Sequence, residues 1–128
     1  MPGPGPTVLI VEDEAYLREL WRRALVGFGY EVIAVRGALE ALPLLTHEPH
    51  VAVTDVHLPG PNGLWLADQI RDASPTTAIV LATGDPTIPP VESLQPGVIA
   101  YLVKPFNLKQ LQDAVEEGVR WSAHQRSQ

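Results

Sequence analysis

Apolar and polar positions alternate between two rhythms along the chain. Short runs that are apolar almost throughout occur at 7–11 (TVLIV), 30–35 (YEVIAV), 51–54 (VAVT), 77–82 (TAIVLA) and 98–103 (VIAYLV). Runs of that length with no polar face predict strands covered on both sides. Between them, apolar residues recur at helical spacing. Leu17, Leu20, Trp21, Ala24, Leu25 and Phe28 line one side of a first helix, opposite Arg18, Glu19, Arg22 and Arg23, and Gly27 and Gly29 end it. A second helix is expected over 38–46, kinked or late to start because Pro43 lies inside it. A third runs from about Asn62 to Ala73. The last covers 108–121, burying Leu108, Leu111, Val115 and Val119, with Asn107 as N-cap and Gln110 as its capping-box partner.

Strands alternating with helices imply right-handed crossovers and an open, doubly wound parallel sheet. Such sheets bind ligands beyond the carboxyl ends of their strands. Five reactive positions follow those ends: Glu12 and Asp13 after the first strand, Asp55 after the third, Thr83 after the fourth and Lys104 after the fifth. Any one of them has an ordinary explanation, since strand ends are polar where they reach water. Together, three carboxylates on one edge would repel one another and raise each other's pKa values unless a cation intervened. Oxygen ligands without a histidine partner favour a hard ion such as magnesium, or manganese in its place. An ion so placed suits phosphoryl transfer. A carboxylate is a competent phosphoryl acceptor, and an ammonium and a hydroxyl are natural partners for the phosphoryl oxygens.

Composition narrows the field. The 128 residues suit one domain, read as a flexible Pro/Gly lead-in (1–6), a folded body (7–121) and a polar tail (122–128). Cysteine is absent, which removes disulfides and cysteine-based metal sites. The formal net charge of −6 argues against direct nucleic-acid binding. Neither a membrane span nor a signal peptide is recognisable, so a cytoplasmic protein is expected. His47, His50 and His124 lack the spacing of a zinc site, and Trp21, Trp65 and Trp121 read as packing residues.

The four stretches VEDE, TDVHLPGPNG, LATG and YLVKPF, in that order, resemble the response-regulator receiver domain of bacterial two-component signalling, over roughly residues 7–121. The resemblance implies a flavodoxin-like fold with strand order 2-1-3-4-5. It implies phosphorylation of Asp55 by a sensor histidine kinase or a histidine phosphotransfer protein. Magnesium would be held by Glu12, Asp13 and Asp55 with the backbone carbonyl of His57. Thr83 matches the switch hydroxyl, Lys104 the phosphate-pairing lysine and Tyr101 an aromatic that turns inward on activation. A cis peptide is implied before Pro105, and Pro59 and Gly63 match the turn after the acceptor. His57 and Asp85, each two residues beyond a matched position, flank the line of water attack and are candidates for tuning the lifetime of the phosphorylated state.

Two other readings compete. Asp55-x-His57-x-x-Gly60 also fits the motif by which cobalamin modules hold cobalt, but there it follows the first strand, and cobalamin leaves Lys104 and the acidic pair unexplained. A pseudo-receiver, an interaction module that is never phosphorylated, is the second. Its support is the stretch 84–97, where Pro86, Pro89, Pro90 and Pro96 oppose the helix that belongs between the fourth and fifth strands. That stretch is expected to be a loop or degenerate helix, leaving a monomer or weak dimer. The acidic pair is Glu-Asp where the family more often has Asp-Asp. No output domain follows in this sequence, so the expected switch acts on a separate downstream protein, unless the chain is excised from a longer one. A switch of this kind is not a turnover enzyme.

Overall fold

The computed structural model describes residues 5–85 and 95–128. Five strands, β1 (Thr7–Val11), β2 (Glu31–Val35), β3 (Val51–Asp55), β4 (Ala78–Thr83) and β5 (Val98–Val103), form one parallel sheet in the order β2-β1-β3-β4-β5. The expected order 2-1-3-4-5 is therefore observed. The helices are α1 (Ala15–Gly27), α2 (Ala38–Ala41), α3 (Gly63–Ala73) and α4 (Leu108–Arg126), with a 3-10 helix at Leu42–His47. Segment 86–94, on which most of the proline-rich expectation falls, lies outside the described residues.

Continuous apolar strands require cover on both faces; the central β1, β3 and β4 have it, and the edge strands β2 and β5 stay half-buried. On one face Leu9, Val11, Ala52, Ile79 and Leu81 pack against α2, the 3-10 helix and α3 through Ala41, Leu45, Leu66 and Ile70. On the other, Val8, Ile10, Val53, Val80 and Ala82 meet Trp21 and Leu25 of α1 and Leu111 and Val115 of α4. Gly118 lets α4 lie close, because a Cβ there would stand 2.9 Å from Val51 Cγ2 and 3.2 Å from Ala78 Cβ.

Three expectations need correction. The helix expected over 38–46 is α-helical only to Ala41 and continues as a 3-10 helix, with Pro43 in its first turn. Proline lacks an N–H and cannot continue an α-helical ladder, but it is tolerated at the start of a new turn. The last helix runs five residues beyond Trp121. Buried Ser122 and the Arg126 guanidinium, which donates to Ser122 Oγ (3.0 Å) and the Glu48 carbonyl (2.6 Å), give its final turn a tertiary anchor. Leu108, expected to be buried, remains exposed at the first position of α4. The Asn107–Gln110 capping box is present in both directions.

Candidate functional site

Register delivers the site. Val11 pairs with Thr54 and Asp55 with Ala82, so the residue after β1 lies level with the end of β3. Thr83 pairs with Val103, which sets Lys104 just beyond the same edge. Backbone bonds extend the alignment past the strands: Glu12 N–H donates to Val35 O (3.1 Å), Val56 N–H to Ala82 O (2.8 Å) and Lys104 N–H to Thr83 O (2.7 Å). One carboxylate oxygen from each of Glu12, Asp13 and Asp55 lies within 4.8 Å of the others. Among the described residues this is the group of acidic or histidine side chains with metal-holding geometry.

Lys104 reaches into that group. Its Nζ donates to Glu12 Oε1 (2.5 Å) and Asp55 Oδ2 (2.6 Å). The other Asp55 oxygen, Oδ1, accepts the His57 N–H at 2.9 Å, which fixes the plane of the carboxylate. Glu12 is fully buried, Asp55 nearly so, and Asp13 is exposed. Burial is the main cause that pushes the Glu12 carboxyl up to about 7, opposed by its bond to Lys104 and reinforced by the Asp55 charge. Lys104 is also desolvated, yet its two carboxylate partners raise its pKa above the ordinary lysine value.

The other residues singled out from the sequence are located as follows. Thr83 is buried at the end of β4, and its Oγ1 accepts the Asp85 N–H at 3.0 Å. Tyr101 on β5 pairs with Leu81 and packs, half-buried, against the α3-side cluster. The Lys104–Pro105 peptide is cis. At the mouth, the His57 Nε2 lies 3.6 Å from Asp85 Oδ2, so the two candidates for lifetime tuning face each other. Gly63 is required by space: a Cβ there would stand 2.1 Å from the Asp55 carbonyl oxygen.

Two contributors were missed by sequence reasoning. Arg18, assigned to the outer face of its helix, turns back to donate to the carbonyls of Glu12 (3.0 Å) and Asp13 (3.4 Å), steadying the loop that carries the acidic pair. Its place one turn into the helix that follows that pair was the available signal. Trp21, read as packing alone, also has the Lys104 Nζ over its ring, 5.5 Å from the centroid. Nothing in the linear pattern connects positions 21 and 104.

The donor set fits a hard divalent cation. Three carboxylates offer oxygen only, one of them exposed, and the buried pair shares the single ammonium of Lys104.

Comparison with known proteins gives a consistent result. The family model of the response regulator receiver domain matches residues 8–116. The chain is 38% identical over 110 residues to the response regulator protein FleR of Pseudomonas aeruginosa, covering 84% of this chain and 23% of that protein. It is 31% identical to the aerobic respiration control protein ArcA of Escherichia coli, covering 83% of this chain and 45% of ArcA. The chain thus spans between about a quarter and a half of the length of these curated relatives. Among solved structures, a CheY-like receiver domain from Methanospirillum hungatei superposes with a TM-score of 0.87 at 27% identity, over 94% of this chain and 98% of that one. The signal receiver domain of an HD domain-containing protein from Pseudomonas fluorescens gives 0.90 at 25% identity, over 100% and 96%. Sheet order, acidic edge and sequence agree, and the chain belongs to the response regulator receiver family of two-component signalling.

Proposed function

We propose that this receiver accepts a phosphoryl group on Asp55 from a histidine kinase or a histidine phosphotransfer protein and acts as a conformational switch. The observation that carries the reading is the convergence of Glu12, Asp13 and Asp55 on one edge, with the Lys104 ammonium bonded to two of them.

An Asp55 oxygen attacks phosphorus, forming the acyl phosphate as the phosphorus–nitrogen bond to the donor imidazole breaks. The His57 N–H and Lys104 hold the two Asp55 oxygens, so the nucleophile is oriented before the donor arrives. Magnesium, held by Glu12, Asp13 and Asp55, would neutralise charge on the incoming group. The new group brings about −1.5 to −2 charge to the edge. Lys104 then exchanges its Asp55 bond for a phosphoryl oxygen, and the Thr83 hydroxyl, which presently accepts from Asp85, donates to another. Movement of Thr83 on β4 and of Tyr101 on the adjoining β5 carries the change to the surface that a downstream protein reads. The protein is in this reading a cytoplasmic switch and not a turnover enzyme.

The test is incubation with a small acyl phosphate and magnesium, read by intact mass. The expected result is one added phosphoryl group in the wild type and none in Asp55→Asn. A wild type that gains no mass under these conditions would leave the pseudo-receiver reading in possession.

A further inference from the structure

Lys104 must do two things that conflict. It has to hold the Asp55 carboxylate before phosphorylation and release it afterwards without losing its place. A lysine side chain is flexible, with a compact charge and no intrinsic direction. Something besides its acceptors has to aim it. The Trp21 ring lies beneath the ammonium at 5.5 Å, within the roughly 6 Å over which a cation is attracted to an aromatic face. Trp21 is 3% exposed, and its ring centroid lies 5.3 Å from that of Phe106, two residues after Lys104, so the platform cannot easily turn away. Trp21, Lys104, Pro105 and Phe106 line one apolar groove, and the Lys104 side chain is only 19% exposed, so its charge is partly withdrawn from water.

We propose that Trp21 is a positioning residue, whose indole face holds the Lys104 ammonium at the acidic edge by a cation–π contact. Two of the three ammonium hydrogens serve Glu12 and Asp55. The ring is a partner that does not depend on the state of Asp55. When Lys104 changes its carboxylate acceptor for a phosphoryl oxygen, the contact with Trp21 persists and limits the search. An aliphatic residue would fill the same space between α1 and α4 but would exert no such pull. This inference rests on Asp55 as acceptor for its chemical consequence, though the contact itself does not.

The test has two arms on the full chain. In the first, a double-mutant cycle of Trp21→Leu and Lys104→Met is read by denaturant unfolding, with no phosphoryl donor. A cation–π contact predicts that the unfolding constant of the double variant departs from the product of the single effects by about threefold to thirtyfold. Tryptophan emission gives a second reading that does not need the leucine variant to fold: Lys104→Met shifts the emission, and Trp21→Phe removes that shift. In the second arm, phosphorylation by a small acyl phosphate is timed at saturating magnesium, well below the unfolding temperature of each variant. Trp21→Leu slows it about tenfold, whereas Trp21→Phe, which keeps a ring, recovers most of the rate. Absence of both coupling and emission shift overturns the proposal, as do equal rates for the leucine and phenylalanine variants. A wild type that takes up no phosphoryl group defeats the Asp55 assignment alone, and the first arm still decides the role of Trp21.

Discussion

At the scale of single residues, the site depends on one hydrogen atom as much as on its charged groups. Gly63 N–H donates to Val56 O at 2.8 Å, and the Gly63 Cα faces the Asp55 backbone so closely that an added methyl would stand 2.9 Å from both Asp55 C and Val56 Cα. Those neighbours are buried backbone at and just past the end of β3 and cannot yield alone. Gly63→Ala is expected to cost about 1–3 kcal/mol, the range of overpacked cores, measured by denaturant unfolding. Because the strain falls on Asp55 itself, acyl-phosphate labelling should slow more in this variant than in Gly118→Ala, whose clash lies with Val51 and Ala78 on the other face. The exposed pair at the mouth makes a different prediction. His57 and Asp85, whose backbone N–H groups donate to Asp55 Oδ1 and Thr83 Oγ1, face each other at 3.6 Å, and His57→Ala and Asp85→Ala should each hasten hydrolysis of the phosphorylated protein severalfold by opening the approach to water. Three equal decay rates, followed by intact mass, would show that the pair has no such part. The meeting of Asp55, the acidic pair and Lys104 at one edge was legible because each follows or ends an apolar run. Arg18 and Trp21 were not, because their partners come from outside their own helix, and periodicity reports only which side of a helix is apolar.

At the scale of elements, the strands could be read to within a residue at each end, since their sequences are almost wholly apolar. The second helix could not. Ala38–Ala41 and Leu42–His47 share one apolar rhythm, and only the missing proline N–H decides where the α-helical ladder gives way. The end of α4 was hidden for the opposite reason: polar residues that look solvated are held by the loop before β3. Arg126 bonds the Glu48 carbonyl, and next to it His50 Nδ1 accepts the Thr7 N–H at 3.2 Å, tying that loop to the start of β1. That bond requires a neutral imidazole. Burial first, and then the Arg126 guanidinium, hold the His50 pKa below its ordinary 6.5. The unfolded chain therefore binds this proton more tightly than the folded one. His50 contributes stability that is complete above about pH 6.5 and is lost as pH falls through its folded value. His50→Asn keeps an acceptor near the Nδ1 position but does not titrate. Between pH 7 and pH 5 the wild type should lose more unfolding free energy than this variant. Glu12, pushed up to about 7, titrates with the opposite sign in the same window, its unfavourable contribution growing as pH rises, but it is common to both proteins and cancels in the difference. Parallel losses in the two proteins would remove His50 from the account.

At the scale of the whole molecule, the fold concentrates like charge where it can least afford to. The chain carries a formal net charge of −6, and three of its carboxylates meet within 4.8 Å at one end of the sheet. Lys104 relieves part of that repulsion, and burial of Glu12 relieves more by favouring its neutral form. The native state should accordingly gain stability from any divalent ion that the edge holds and the unfolded chain does not. Linkage gives the size: at ten times its dissociation constant, magnesium adds about 1.4 kcal/mol. For a domain of this length that raises the melting temperature by roughly 5 °C. Screening of the net charge would give a rise of its own, so the control is a monovalent salt at equal ionic strength. Asp13→Asn isolates the effect best. Asp13 is the exposed member of the three, and its side chain is not among the partners of Lys104, so its loss leaves the Glu12–Lys104–Asp55 bonds in place. In calorimetry the wild type should melt higher in magnesium than in the matched monovalent salt, and Asp13→Asn should melt at the same temperature in both. An unchanged magnesium increment in that variant would mean that the three carboxylates do not bind the ion jointly, and the phosphoryl-transfer reading would lose the cation on which its charge balance depends.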